Sequence, residues 1–269
     1  MEIEINKDIS YLIGLFQTDG NIYDSTRNRG KAVIELSIKD EDIINKIKEI
    51  IPYNYTISKR KRNISIREYD YKEKEYVSIR ICDQNFRKFL NYCGVPSGKK
   101  SSIIIPPLHL KNLSIKDYVR GLYDGDGSLG MTKTNIPYIS IVTASENLAN
   151  FLFEYIGEIT GKPKKKINPN IRDNIYNIVI TKEDAIKFCN EIYYEGCLCM
   201  DRKKEKSDII KNWIRPYDMK KIDFDKRKWS ETEDNYILNH SIEDSMENLH
   251  RTKKSIKIRL IRIRNNFLY

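Results

Sequence analysis

A chain of 269 residues with 40% hydrophobic and 32% charged residues can bury one large core or two moderate ones. Its formal net charge of +10 and pI near 9.1 point to a polyanionic partner, because clustered cations release condensed counterions, although charge alone does not separate DNA from RNA or an anionic membrane. No apolar run is long enough to span a bilayer, and Met1-Glu2-Ile3-Glu4 lacks the basic-then-apolar order of a signal peptide, so a soluble intracellular protein of the cytoplasm or an organelle matrix, with no membrane partner, is expected.

The first predicted helix starts near Asp8 and stops at Gly20, through ISYLIGLFQTDG. A strand, Ala32 to Ile38, precedes a charged stretch, Lys39 to Ile51, that reads as a helix with Ile43, Ile44, Ile47 and Ile50 on one face. Arg60, Lys61, Arg62, Asn63 and Arg67 then offer base-edge and phosphate contacts, before a strand at Tyr76 to Ile81 and a helix at Gln84 to Tyr92. Gly94 to Pro107 joins this half to the next.

The second half repeats the first. KDYVRGLYDGDG, Lys116 to Gly127, superimposes without a gap on Ile9 to Gly20, placing Gly14 over Gly121, Asp19 over Asp126 and Gly20 over Gly127. Ser114 and Asp117 form a capping-box signal for its helix, and Gly127 supplies the backbone freedom that ends it. A strand at Tyr138 to Thr143, a helix at Ser145 to Ile159, a basic cluster at Lys164, Lys165 and Lys166, a strand at Tyr176 to Thr181 and a helix at Asp184 to Tyr194 follow. Each half is helix, strands, helix, strands, helix, which favours an α+β unit with an antiparallel sheet.

Small residues recur four apart, Gly14 with Thr18 and Gly121 with Gly125, so two such helices can approach closely along those stripes. Packed in parallel, they bring Asp19 and Asp126 together at their negative C-terminal ends, where a cation relieves the cost of two carboxylates. Acids with no histidine nearby suit hard ions such as Mg²⁺. The chain has only His109, His240 and His250, and its five cysteines, Cys82, Cys93, Cys189, Cys197 and Cys199, lack a Cys-x-x-Cys pair and read as reduced thiols.

A polar linker, Arg215 to Lys228, leads to a third unit, Trp229 to Tyr269. Its first helix runs to about His240, Ser241 with Asp244 caps a second, and Lys253 to Arg264 forms a third, apolar at Ile256, Leu260 and Ile263. Lys254, Lys257, Arg259 and Arg262 on its other faces fit a helix-turn-helix whose last helix enters the major groove, the alternative being an amphipathic helix packed on the main body.

LIGLFQTDG (Leu12 to Gly20) and VRGLYDGDG (Val119 to Gly127) resemble the two motifs of single-chain LAGLIDADG homing endonucleases, and the likeness extends over roughly residues 8 to 215, including Gly98-Lys99-Lys100 and Arg202-Lys203-Lys204. The resemblance implies domains at 1–100 and 101–217, a pseudo-twofold pair of αββαββα folds, and sheets forming a saddle over the DNA major groove. It further implies a monomer that uses Mg²⁺ (Mn²⁺ or Ca²⁺ also fitting the site) between the motif acids, Asp19 and Asp126, to cut both strands of a DNA duplex. A basic residue from each half stands near the scissile phosphate in that family, and Lys182 and Arg80 are the candidates here, with solvated strand-end charges as the alternative. The sixth motif position is Asp124 in one copy and Gln17 in the other. Residues two apart on a helix diverge by about 200°, so Asp124 is not expected to share a site with Asp126. The extension at 224–269 is similar to a Myb/SANT-type repeat at Trp229, its acidic first helix and Arg251-Thr252. A non-cleaving intron maturase or transcription regulator is the nearest rival, and an RNA-binding protein that stacks bases on its tyrosines a more distant one. A splicing intein is not expected, since the first motif begins so close to Met1 and no His-Asn closes the chain.

Overall fold

The computed structural model describes residues 3–25, 29–67, 70–162, 169–170, 172–216, 219 and 229–266, with the side chains of 64–67, 70–72 and 265–266 outside that description. The first half runs α1 (Lys7–Thr18), β1 (Gly20–Asp24), β2 (Gly30–Ser37), α2 (Glu41–Ile47), β3 (Tyr55–Arg67), β4 (Asp70–Ile81) and α3 (Gln84–Tyr92). The second runs α4 (Ile115–Gly125), β5 (Ser128–Met131), β6 (Pro137–Thr143), α5 (Glu146–Thr160), β7 (Tyr176–Thr181), α6 (Lys182–Ile192) and α7 (Asp201–Lys211). Each half carries an antiparallel sheet, in the order β1-β2-β4-β3 and, among the described residues, β5-β6-β7. The fold is the expected α+β, and both halves belong to one compact unit, Met1–Arg215. Lys164, Lys165 and Lys166 lie outside the described residues.

Strand alternation explains the layers. Ile22, Ala32, Ile34, Leu36, Val77, Ile79 and Ile81 point to one face and are buried in the core, leaving the other face of the first sheet open. Ile139, Ile141, Ile178 and Ile180 do the same for the second sheet.

Three local expectations are corrected. The stretch from Lys39 to Ile51 is not one helix: a 3-10 turn, Ile38–Asp40, precedes a short α2 that ends at Ile47, five residues before Pro52. Ser114 does not cap α4 with its side chain; its hydroxyl donates instead to Asp117, which also pairs with buried Arg120 and accepts from the Tyr194 hydroxyl at 2.7 Å. Gly127, like Gly20, is not in the left-handed region. What it needs is space, because a Cβ there would lie 2.4 Å from the Tyr123 carbonyl oxygen, and one at Gly20 would lie 2.3 Å from the Phe16 ring.

The small-residue stripes meet. A Cβ added at Gly14 would lie 2.2 Å from the Tyr118 carbonyl oxygen, one at Gly121 would lie 2.1 Å from that of Tyr11, and one at Gly125 would lie 2.0 Å from Thr18 Oγ1. Contacts that advance together along both helices make α1 and α4 parallel. Backbone, unlike a flexible side chain, gives little, so Gly121→Ala should destabilise the unit by about 3 kcal/mol or more, at the upper end of overpacking costs. Urea unfolding checks this; an unchanged midpoint would mean that the helices separate freely.

The second compact unit, Pro216–Tyr269, contains α8 (Glu231–Asn239), α9 (Ile242–Leu249) and α10 (Lys253–Asn266). Ser230 and Glu233 form a capping box on α8, Ile237 and Ile256 are buried, and the Arg251 guanidinium stacks 4.3 Å from the centre of the Trp229 ring.

Candidate active site

Asp19 and Asp126 are the C-terminal caps of α1 and α4, with near-identical backbone angles (φ −88°, ψ −13° and φ −89°, ψ −5°). Parallel packing brings the two ends together: Asp19 Oδ2 lies 2.8 Å from where a Cβ on Gly125 would stand. Neither carboxylate accepts a hydrogen bond from any described residue. Burial first, then the charge of Asp126, pushes Asp19 up to about 6, and burial also raises Asp126. A cavity of about 190 Å³ opens beside them, lined by Thr18, Lys100, Asp126, Val142 and Thr143 among others. A larger cleft of about 610 Å³, near Ile3, Tyr53 and Phe89, adjoins the opposite end of α1 and holds no such acid pair.

Two lysines complete the site, and sequence reasoning gave them no role. Lys100 donates to the carbonyls of Phe16, at 2.6 Å, and Gly20; Lys203 donates to those of Tyr123, at 2.7 Å, and Gly127, at 2.6 Å. Phe16 stands over Tyr123 and Gly20 over Gly127 in the repeat, so the same lysine caps the same helix end twice. Each ammonium meets the negative end of a helix dipole and faces the acids. Burial lowers both to about 8, against the pull of neighbouring carboxylates. The available signal was spacing: each lysine follows the glycine it caps at a similar distance, 80 residues in one half and 76 in the other.

Lys182 and Arg80 are not among the charges that act most on the two acids. The basic groups acting most on Asp19 and Asp126 are Lys100 and Lys203. Nor are Lys182 and Arg80 equivalent. Asn21 pairs with Val33 and Val33 with Arg80, while Ser128 pairs with Ser140 and Ser140 with Val179. With Asn21 over Ser128, Arg80 corresponds to Val179 and Lys182 to Asp83, the N-cap of α3. Lys182 itself opens α6 with a left-handed backbone, φ 60°.

The sixth motif position is structural in both copies. Gln17 is buried; its amide donates to the carbonyls of Gly94, at 3.0 Å, and Ile105, at 3.1 Å, and its oxygen accepts from the Tyr118 hydroxyl at 2.6 Å. Asp124, also buried, accepts from the hydroxyls of Tyr11 and Tyr193, each at 2.7 Å, and from the Met200 amide at 2.8 Å.

The basic strand divides by alternation. Arg60 and Arg62 share the open face with Arg80 and both pair with Glu35, Arg62 at 2.7 Å. Lys61, with Asn63, points to the opposite face, where it binds Glu73 at 3.0 Å and Glu75 at 3.2 Å. The side chain of Arg67 lies outside the described residues. In the second unit Lys254, Lys257 and Arg262 are exposed, whereas Arg259 is held by Asp234 through bonds of 2.7 and 2.5 Å.

The chain is similar in fold to solved structures of known proteins. The solved structure of the homing endonuclease I-WcaI, bound to its DNA recognition sequence, is 18% identical and superimposes with a TM-score of 0.53 over 77% of this chain and 88% of that one. The LAGLIDADG meganuclease I-CpaMI, bound to uncleaved DNA, gives 13% identity and a TM-score of 0.45 over 77% of this chain and 92% of its own. The tRNA-splicing ligase RtcB of Pyrococcus abyssi (strain GE5 / Orsay) is 28% identical over 144 residues; the alignment takes in 44% of this chain and only 14% of that protein. The LAGLIDADG-like domain matches residues 6–94 and 115–193. Because that match covers both copies of the repeat that sets Asp19 over Asp126, the chain belongs to the LAGLIDADG-like domain family.

Proposed function

We propose that the protein is a homing endonuclease that cuts both strands of a long DNA duplex by metal-dependent phosphodiester hydrolysis. The observation that carries this reading is the acid pair Asp19 and Asp126, whose carboxylates no described residue hydrogen-bonds, at two parallel helix ends flanked by Lys100 and Lys203. The fold shared with I-WcaI, which is bound to its DNA recognition sequence, supports duplex DNA as the partner.

The donor set fits Mg²⁺. Asp19 and Asp126 offer hard carboxylate oxygens that no described residue hydrogen-bonds, a donor set that would suit Mg²⁺, which is commonly held by one or two carboxylates together with substrate phosphates. When bound, a divalent cation lowers the pKa of water and polarises phosphoryl oxygens. Asp19 and Asp126 would hold it, and Lys100 and Lys203 would place positive charge beside the phosphodiester. The chain works as a monomer, since its two halves already duplicate the site.

The C-terminal unit adds a second, tethered contact to DNA through Lys254, Lys257 and Arg262, raising the local concentration of the nuclease at its target. Among the described residues no helix is long and apolar enough to cross a membrane.

A randomised duplex library tests the reading. A long consensus cut in Mg²⁺ and intact in EDTA is the expected result. Retention of a long sequence with no cutting in Mg²⁺ would replace it with a non-cleaving maturase or regulator.

A further inference from the structure

The two open sheet faces differ in charge. On the first, Lys31, Arg60, Arg62, Lys74 and Arg80 stand against Glu35. Among the described residues Arg60 and Arg62 are tied to Glu35, whereas exposed Arg80 forms no ion pair. On the second, the described positions Ser128, Tyr138, Ser140, Val142, Asn177 and Val179 are all uncharged. Val179 is 54% exposed and Val142 is 44% exposed, on a face that no described element covers. Such β-branched side chains gain nothing in water and suit an apolar partner.

Arg80 and Val179 occupy equivalent places. Each lies two strands from the residue that follows its motif, Arg80 from Asn21 and Val179 from Ser128, or about 10 Å at the usual strand spacing. In the major groove a guanidinium matches the O6 and N7 acceptors of guanine, and an aliphatic side chain matches the C5-methyl group of thymine.

We infer that Arg80 and Val179 are specificity-determining residues at symmetry-related positions, Arg80 selecting guanine in one half of the target and Val179 selecting thymine in the other. The inference rests on the duplex-DNA reading above. A perfectly palindromic target does not satisfy both residues, so the preferred site departs from palindromy at two base pairs equidistant from its centre.

The test is selection from a randomised duplex library, by retention and by cleavage, for the wild type and Val179→Arg. The variant is expected to change one base pair of the consensus from thymine to guanine, with a preference ratio moved roughly 5- to 150-fold. Val179→Ser, a smaller change that folds more readily, should lose the thymine preference at that pair alone. Replacing that thymine by deoxyuridine should weaken wild-type retention about fourfold, the worth of one buried methyl, and leave Val179→Ser unmoved. An unchanged consensus in both variants, with the wild type still cutting, overturns the inference and spares the endonuclease reading. Retention without cutting, with the consensus shifted as described, supports the inference and overturns the endonuclease. A wild type that retains no duplex overturns both.

Discussion

Asp19→Asn and Asp126→Asn should each lower strand cleavage by roughly a hundred- to a thousandfold or more, in the range seen when a charge-stabilising group is removed from an active site, with retention of duplex reduced only a few fold. Asparagine keeps the size of the side chain and removes the charge that would hold the cation. No described residue hydrogen-bonds either carboxylate, so the amide breaks no contact of the fold. Cleavage and retention are measured on the same selected duplex. Unimpaired cutting by either variant would sink the assignment of the acid pair.

The same change has a stability signature of known sign. Asp19 is raised from 3.8 to about 6 by burial and by Asp126, so between those values the folded protein binds more protons than the unfolded chain. Metal-free stability therefore falls as pH rises from about 4 through 6, by up to about 3 kcal/mol, and stays lower above that. Asp19→Asn should remove the share of the fall that Asp19 contributes and leave the share of Asp126, which burial also raises, making the variant the more stable protein at pH 7 in EDTA. Mg²⁺ should remove the fall in the wild type. Lys100 and Lys203, held near 8 by burial, lose their charge as pH rises through that value, so cleavage should decline there.

What could be read in the sequence was whatever is local or repeated. Asp19 and Asp126 were legible because two Asp-Gly pairs end two helices in the same frame, and Gly14, Thr18, Gly121 and Gly125 were legible because a four-residue spacing marks one helix face. Lys100 and Lys203 were not, since each reaches its helix end from 80 or 76 residues away along the chain and nothing local reports that closure. The separation of Arg60 and Arg62 from Lys61 follows from strand alternation once Tyr55–Arg67 is known to be one strand, a length the sequence did not announce. That Lys182 and Arg80 are not counterparts has a related reason: equivalence between halves is set by sheet register, which makes Val179 the counterpart of Arg80.

Position six of the motif shows how one repeat takes two chemistries. Asp124 faces three donors, two tyrosine hydroxyls and the Met200 amide, and a carboxylate accepts from all of them. Gln17 faces the carbonyls of Gly94 and Ile105 with one hydroxyl, that of Tyr118, a set that needs an amide. Asp124→Asn turns an acceptor into a donor against buried donors, and should cost about 2–5 kcal/mol of stability, one or two unsatisfied groups. Gln17→Glu removes the donor from two carbonyls and buries a charge beside them, a loss of about 3–5 kcal/mol by comparison with broken buried pairs. Cleavage per folded molecule should fall far less than in Asp19→Asn, because the polar atoms of both side chains are committed to buried partners, even though Gln17 lines the cavity beside the acids and Asp124 helps keep Lys203 charged. Urea unfolding together with cleavage scaled to the folded fraction reads the two effects apart. An Asp124→Asn protein as stable as the wild type that no longer cuts DNA would move Asp124 from the scaffold into the chemistry; an unstable one that still cuts leaves Asp19 and Asp126 as the acids on which cleavage depends.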